Sequence, residues 1–255
     1  MLPAHGESGD WIVKTPDDRY PGLVANEAAM MRLAGEVGIE APEVHVRHYD
    51  QVDGLGEGVW PSNEDEAYVV RRFDRSPGGR IHIEDFAQVL GCFGAGEEKY
   101  RSTVESLAAI AYRGRDHASL REMVRRTVFN LLIGNGDAHL KNWSLIYRTP
   151  NKPRLAPAYD LASTVAWTQH DQTIALNMAG TKRFDAIGPD TFNAFFQRFG
   201  LPGQVREELL AEGRSTTRRV QDVWGQLYEG NGVPVVLIQR IEAHIRSCPL
   251  RVAIA

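Results

Sequence analysis

The stretch Leu131–Tyr147, LLIGNGDAHLKNWSLIY, decides how the chain is to be read. A polar knot, Asn135-Gly136-Asp137-Ala138-His139-Leu140-Lys141-Asn142, lies between an apolar run of helical character and an apolar run of strand character. An Asp, a His, a Lys and two Asn are costly to place where two buried elements meet, and they contribute little to packing. They either satisfy one another or bind something charged.

Working outward, the helix that feeds the knot carries Leu120, Met123, Val124, Val128, Leu131 and Leu132 along one side. Ser119 with Glu122 three residues later reads as a capping box at its start. After the knot, Trp143–Tyr147 and Arg154–Ala158 read as two strands joined by the turn RTPNKP, and Tyr159-Asp160 follows at once. Upstream, Trp11–Lys14 is a strand, and Asn26 is positioned to cap a helix that Gly38 ends. Val44–Tyr49 and Ala67–Phe73 are further strands, separated by a Gly- and acid-rich loop over Asp50–Glu66. The segment RSPGG, Arg75–Gly79, marks a seam between two lobes. Beyond it helices dominate: Ser102–Tyr112, Pro189–Phe199, Val205–Tyr228 and Val235–Ser247.

Composition narrows the classes. The chain has 255 residues, 43% hydrophobic and 24% charged, as expected for a globular protein of one large domain or two small lobes. A net charge of -4 lacks the footprint of an autonomous DNA binder. Cys92 and Cys248 stand alone in sequence and form no zinc pattern, which favours a reducing compartment. No secretory signal or membrane-length apolar run is visible, so the sequence reads as cytosolic. The basic run Arg214–Arg219 reads as a solvated helix face, with an acidic partner or a DNA backbone as the sharper alternative.

The knot has the makings of chemistry. Asp137 and Asn142 are five residues apart, and Asp160 follows the second strand. Two carboxylates and an amide oxygen at one mouth suit Mg²⁺, which takes one or two carboxylates together with substrate phosphates. The kinase catalytic loop has the same spacing: an Asp that accepts the substrate hydroxyl's proton, then an Asn that holds metal, then an Asp beyond the next hairpin. Kinases also need a strand Lys for the α/β-phosphates and a helix Glu that pairs with it; Lys14 and Glu27 stand in that order. Read blandly, Asp137, Asn142 and Asp160 make a polar turn, Lys14 is a solvated strand end, and Glu27 favours a helix N-terminus. His139 reads as a hydrogen-bonding residue of the loop, with a D-x-H metal pair as the alternative. Lys141 either contacts the γ-phosphate or faces solvent.

At this point the sequence resembles the HipA-like serine/threonine kinases, toxins of bacterial type II toxin–antitoxin pairs. The matching pieces are WIVKTP around Lys14, NEAAMMRLAGEVGIEAPEV (Asn26–Val44), VVRRFDR (Val69–Arg75), IHIEDFAQVLG (Ile81–Gly91), NLLIGNGDAHLKNWSLIY and LAPAYDLAST (Leu155–Thr164). Their order and spacing agree from about Asp10 to about Gly200, and the combination of GDAHLKN with APAYD is specific. The resemblance implies an α+β, protein-kinase-like two-lobed fold: an incomplete, β-containing N-lobe over residues 1–74, and a larger, mainly helical C-lobe over 75–255. It implies Lys14 as the ATP-binding lysine, Asp137 as the catalytic base, and Asn142 and Asp160 as metal ligands. The backbone of Arg71 and Phe73 would contact adenine, and Tyr159 would lie beside the nucleotide.

The implied reaction is Mg-ATP-dependent phosphorylation of a protein Ser/Thr hydroxyl. The implied target is translation-related, such as an aminoacyl-tRNA synthetase, and the implied partner is a helix-turn-helix antitoxin, with DNA reached only through it. The family carries a Ser-containing, phosphate-covering loop before the Lys strand, whereas thirteen residues precede Lys14 here. HGESGDW (His5–Trp11) is too short to be that hairpin, so the expectation is a lid supplied by an upstream segment or a separate N-terminal-domain chain. Arg71 stands where many relatives carry Glu. Two other functions stay open: a small-molecule phosphotransferase, since the Asp-x4-Asn spacing also serves antibiotic kinases, and a catalytically silent binding module of a toxin–antitoxin complex.

Overall fold

The structure, a computed structural model, describes residues 9–52, 60, 62–92, 96–167, 172–225 and 231–254. Three strands, β1 (Trp11–Lys14), β2 (Val44–His48) and β3 (Glu66–Arg71), form an antiparallel sheet in the order β1-β3-β2. The middle of β3, Ala67-Tyr68-Val69-Val70, is buried on both faces, as its unbroken apolar run requires. Helix α1 (Leu23–Glu36) connects β1 to β2 and is buried from Val24 to Met31 and again at Leu33 and Ala34. Ala25, Ala28, Ala29 and Ala34 let neighbouring elements approach closely on several sides.

The RSPGG segment folds as a tight hairpin of β4 (Arg75–Ser76) and β5 (Gly79–Arg80). A second three-stranded sheet follows, β6 (Ile83–Asp85), β7 (Ser144–Ile146) and β8 (Arg154–Leu155), with β7 central. Around it stand α2 (Phe86–Val89), α3 (Val104–Ala111) and the long α4 (His117–Ile133). The hairpin β9 (Thr173–Met178) and β10 (Thr181–Arg183) precedes α5 (Pro189–Arg198), α6 (Gly203–Trp224) and α7 (Val235–Ser247). Among the described residues no helix is long and apolar enough to cross a membrane.

Two expected helix starts differ from the structure. Helix α4 begins one turn earlier, with Asp116 as its cap: Asp116 Oδ1 accepts from Ser119 N at 3.0 Å and Oδ2 from Ser119 Oγ at 2.7 Å. Ser119 is buried, and its hydroxyl also accepts from Leu155 N at 3.0 Å, while Glu122 pairs with Arg125 and Arg126. Helix α1 starts at Leu23 behind a left-handed Gly22 (φ 80°), so Asn26 is not its cap. Asn26 is fully buried instead. Its Oδ1 accepts from Ser163 N at 2.9 Å and its Nδ2 donates to Ser163 O at 3.2 Å. A cap would have left it at the surface; here its amide stands in for a backbone partner to the segment after Asp160.

Other bonds tie the same region. Ala158 N donates to Glu40 O at 2.6 Å, and Trp167 Nε1 to Pro21 O at 3.2 Å. Arg125 and Arg219 donate to the carbonyls of Gly38 and Val37 at the end of α1. The sheet with its helix is thus seated on the helical body through α1, and its other face is left to form the wall of a cleft.

Asn26→Ala should leave the buried N–H and C=O of Ser163 without partners, at a cost of about 2–4 kcal/mol. For a chain of this size that is a fall in Tm of roughly 4–16 °C, measurable by circular dichroism. A shift below about 1 °C would mean that Ser163 is satisfied elsewhere.

Candidate active site

Helix α4 ends at Gly134, in the left-handed region (φ 67°), with its N–H on Leu131 O. A Cβ at Gly134 would lie 2.4 Å from Val165 Cγ2, so only glycine lets the chain after Asp160 come this close. That chain bonds the loop directly. Thr164 N and Val165 N donate to Gly134 O, Thr164 Oγ1 donates to Gly134 O at 3.1 Å, and Gly136 N donates to Thr164 Oγ1 at 2.8 Å. Within the loop, Asn135 Nδ2 donates to Asn130 Oδ1 and Asp137 N to Asn135 Oδ1, both at 3.0 Å. Asn142 Nδ2 donates to Asp137 O at 2.9 Å. The polar knot therefore satisfies much of its own hydrogen bonding, and the carboxylate of Asp137 stays half-exposed.

Asp160 follows β8 after four residues and is itself left-handed (φ 58°), a conformation Asp tolerates better than most residues. Its neighbours are tied on both sides, Ala158 to Glu40 and Ser163 to Asn26, which holds the strained residue in place. Its carboxylate reaches across to the first sheet. Lys14 Nζ, at the end of β1, lies 2.5 Å from Asp160 Oδ1 and 2.7 Å from Glu27 Oε1 of α1. The ammonium also sits 5.5 Å from the ring centre of Tyr68, its partner on β3.

The charges are unequal, one cation to two carboxylates. Burial raises the pKa of Glu27, opposed by Lys14 and reinforced by the Asp160 charge, and pushes it up to about 7. Burial works to lower the pKa of Lys14, but Glu27 and Asp160 outweigh it, and the ammonium titrates above its ordinary value.

Around this group lies a cleft of about 380 Å³, walled by Ile12, Val70, Phe73 and Tyr159 and edged by Arg71 and Lys141. The Phe73 and Tyr159 rings face each other at 5.6 Å. The Tyr159 hydroxyl donates to Lys141 O at 2.8 Å and lies 2.6 Å from Ser144 Oγ; burial raises its pKa. Arg71 N donates to Glu43 O at 2.9 Å. Among the described residues, the Phe73 N–H donates to nothing. Arg71 and Phe73, two residues apart, both line the cleft.

Lys14, Glu27, Arg71, Phe73, Lys141, Tyr159 and Asp160 share this cleft. Asn142, Asp160 and Tyr159 together line a separate, small crevice. Asp137 does not line the cleft. It faces a neighbouring cavity of about 510 Å³ with Tyr20, Tyr100, Thr164 and Lys182. Among the described residues no three His, Cys, Asp or Glu side chains gather as a ready-made cation site. The donor set nonetheless fits Mg²⁺, which needs few protein ligands beside substrate phosphates. Asp160 offers a carboxylate in a group with surplus negative charge. Asn142 holds its Nδ2 on Asp137 O, and among the described residues its Oδ1 takes no hydrogen bond. His139 is buried, 3.8 Å from Asp137 Oδ1, and burial lowers its pKa.

Tyr100, Ser144, Asn26 and Thr164 also belong to the site, although the spacing of charged residues does not point to them. The LAST motif (Leu161–Thr164) was the one available signal for Thr164.

The raised pKa of Glu27 has a measurable consequence. The native chain holds this proton more tightly than the unfolded chain does, so the group's contribution is fully present below pH 4.5 and is lost as pH rises toward about 7. Relative to Glu27→Gln, which keeps a neutral side chain, the native protein should lose Tm progressively over that window and no further above it. A Tm difference that stays constant between pH 4.5 and 7 would show that Glu27 titrates in the ordinary carboxylate range.

Comparison with known proteins agrees with this architecture. Residues 2–224 match the family model of the HipA-like C-terminal domain. The chain is 40% identical over 225 residues to "Putative kinase Y4dM" of Sinorhizobium fredii, covering 88% of this chain and 53% of that protein. It is 31% identical over 225 residues to the serine/threonine-protein kinase toxin HipA of Shewanella oneidensis, covering 80% and 48%. The chain thus spans about half the length of these relatives. Among solved structures, the toxin–antitoxin complex of HipA, HipB and operator DNA from S. oneidensis matches with a TM-score of 0.74 at 26% identity, covering 96% of this chain and 60% of that one. The fold is α+β and kinase-like, and the chain belongs to the HipA-like C-terminal domain family.

Proposed function

We propose that the chain is the catalytic part of a HipA-type kinase that transfers the γ-phosphoryl group of Mg-ATP to a Ser or Thr hydroxyl of a protein. The meeting of Lys14, Glu27 and Asp160 supports this best, because three elements distant in sequence bring one cation and two carboxylates to the floor of a cleft of nucleotide size. We take the lobe boundary to lie near residue 74.

Adenine would lie between Val70 and the Phe73–Tyr159 pair, its edge on the Arg71 carbonyl and the Phe73 N–H. Lys14, held by Glu27, would orient the phosphates, and Lys141, which also lines the cleft, would contact the terminal one. Asp160 and Asn142 would hold Mg²⁺, which when bound neutralises charge on the phosphate oxygens. Asp137, which lines the neighbouring cavity, would accept the proton of the acceptor hydroxyl. Positioning and charge compensation supply most of the rate in such a reaction. By analogy with the S. oneidensis complex, the partner would be a HipB-like antitoxin with a helix-turn-helix domain, and DNA would be met through it. The target would be a translation-related protein, such as an aminoacyl-tRNA synthetase, in the cytoplasm.

The two aspartates separate the roles. Asp160→Asn should weaken Mg-ATP binding in titration calorimetry. Asp137→Asn should leave binding nearly intact and lower transfer by about 10²- to 10⁴-fold, the usual contribution of a positioned base. Equal loss of nucleotide affinity in both variants contradicts the assignment. Labelled ATP added to a lysate tests the wider reading: label on protein supports it, label on small molecules alone indicates a small-molecule phosphotransferase, and no nucleotide binding indicates a silent module.

A further inference from the structure

Asp137 has a partner that the kinase spacing does not foretell. The hydroxyl of Tyr100, at the end of a 3-10 turn over Glu97–Tyr100, donates to Asp137 Oδ1 at 2.7 Å. His139 Nε2 lies 3.8 Å from the same oxygen. Both neighbours therefore stand on one side of the carboxylate, and among the described residues Oδ2 takes no hydrogen bond. Tyr100 is itself fixed. Its ring meets His139 edge-on at 5.4 Å, and Lys99 Nζ lies 4.9 Å from the ring centre. Burial, then the bond to Asp137, raises the pKa of this phenol, so it stays protonated and can only donate while Asp137 is ionised.

A lone aspartate at the end of a half-exposed loop can rotate about its terminal torsion. A donor on one oxygen removes that freedom and aims the other oxygen in a set direction. Here the open oxygen belongs to a side chain lining the 510 Å³ cavity beside Tyr20, Thr164 and Lys182, a cavity lined by other residues than the nucleotide-sized cleft. We propose that Tyr100 is the positioning residue of the catalytic base: it holds Oδ1 of Asp137 so that Oδ2 is presented to the acceptor hydroxyl entering through this cavity. The idea rests on the proposed kinase reading. In the transfer, Oδ2 takes the acceptor's proton as the acceptor oxygen bonds phosphorus and the bond from phosphorus to the ADP oxygen breaks; Tyr100 keeps its own proton throughout.

Tyr100→Phe tests it, because the ring and its contacts with His139 and Lys99 are kept and only the hydroxyl is lost. With Mg-ATP and the protein acceptor, kcat should fall by about 10- to 100-fold, as expected when a base is misaimed, with KM for Mg-ATP unchanged. Unchanged or increased kcat overturns the proposal; an increase would mean that the phenol blocks the acceptor rather than aiming the base. A second measurement does not depend on turnover. In protein labelled with ¹³C at the aspartate carboxyls, the Asp137 resonance, assigned with Asp137→Asn, should move in Tyr100→Phe while that of Asp160 stays. An unmoved Asp137 resonance also overturns the proposal. If the native protein transfers no phosphate, the kinase reading fails while the resonance still decides whether Tyr100 holds Asp137.

Discussion

One ammonium group shared by two carboxylates organises this molecule. Lys14 lies at the edge of the small sheet, Glu27 in the buried helix behind it, and Asp160 after the second sheet, yet both oxygens lie within 2.7 Å of Nζ. A buried carboxylate without a cation would be strongly destabilising, and two beside each other more so. Lys14 can answer both only if β1, α1 and the segment after β8 keep their places. The group also leaves excess negative charge at the cleft floor, which no protein cation beside Lys14 removes in the contacts of Asp160 and Glu27. A site of that kind is better completed by a ligand than closed upon itself.

The charges do not hold the elements in place by themselves. That work falls to neutral groups. The Asn26 amide bonds both backbone groups of Ser163, and Thr164 bridges Gly134 and Gly136. These bonds are buried or half-buried, so they lose little to water and nothing to salt or pH. The residues on either side of Asp160 are thus anchored by interactions that persist whichever way the carboxylates are protonated. Scaffold and chemistry are carried by different side chains, and the charged ones remain free to exchange partners.

The legible part of the sequence was the part where chemistry overrides packing. Asp137, Asn142 and Asp160 stand out because carboxylates and amides are costly at the junction of buried elements, and Lys14 stands out because it ends an apolar strand. Asn26 and Ser119 were harder. Both are residue types that cap helices, and both are instead buried and bonded across the fold to residues far away in sequence, at Ser163 and Leu155. Local preference cannot foresee a partner 137 positions later. The strands β6 and β10 are too short for their alternation to register, and β6 exists because β7 offers it an edge. Tyr100 sits in the polar run EEKY, where nothing local distinguishes a solvated ring from one that reaches a loop 37 residues on.

Residues of the loop over 135–142 line two hollows, Lys141 the nucleotide-sized cleft and Gly136 with Asp137 the other. Asn142 Nδ2 on Asp137 O, with Asn135 Oδ1 on Asp137 N, fixes the backbone of Asp137 from both ends. Its carboxylate is then held by Tyr100. Under the proposed reading this separation is what the reaction needs. Donor and acceptor must approach phosphorus from roughly opposite sides, so the base belongs in a different hollow from the group that holds the nucleotide. The knot that looked too polar for its place spends much of its polarity on its own bonding.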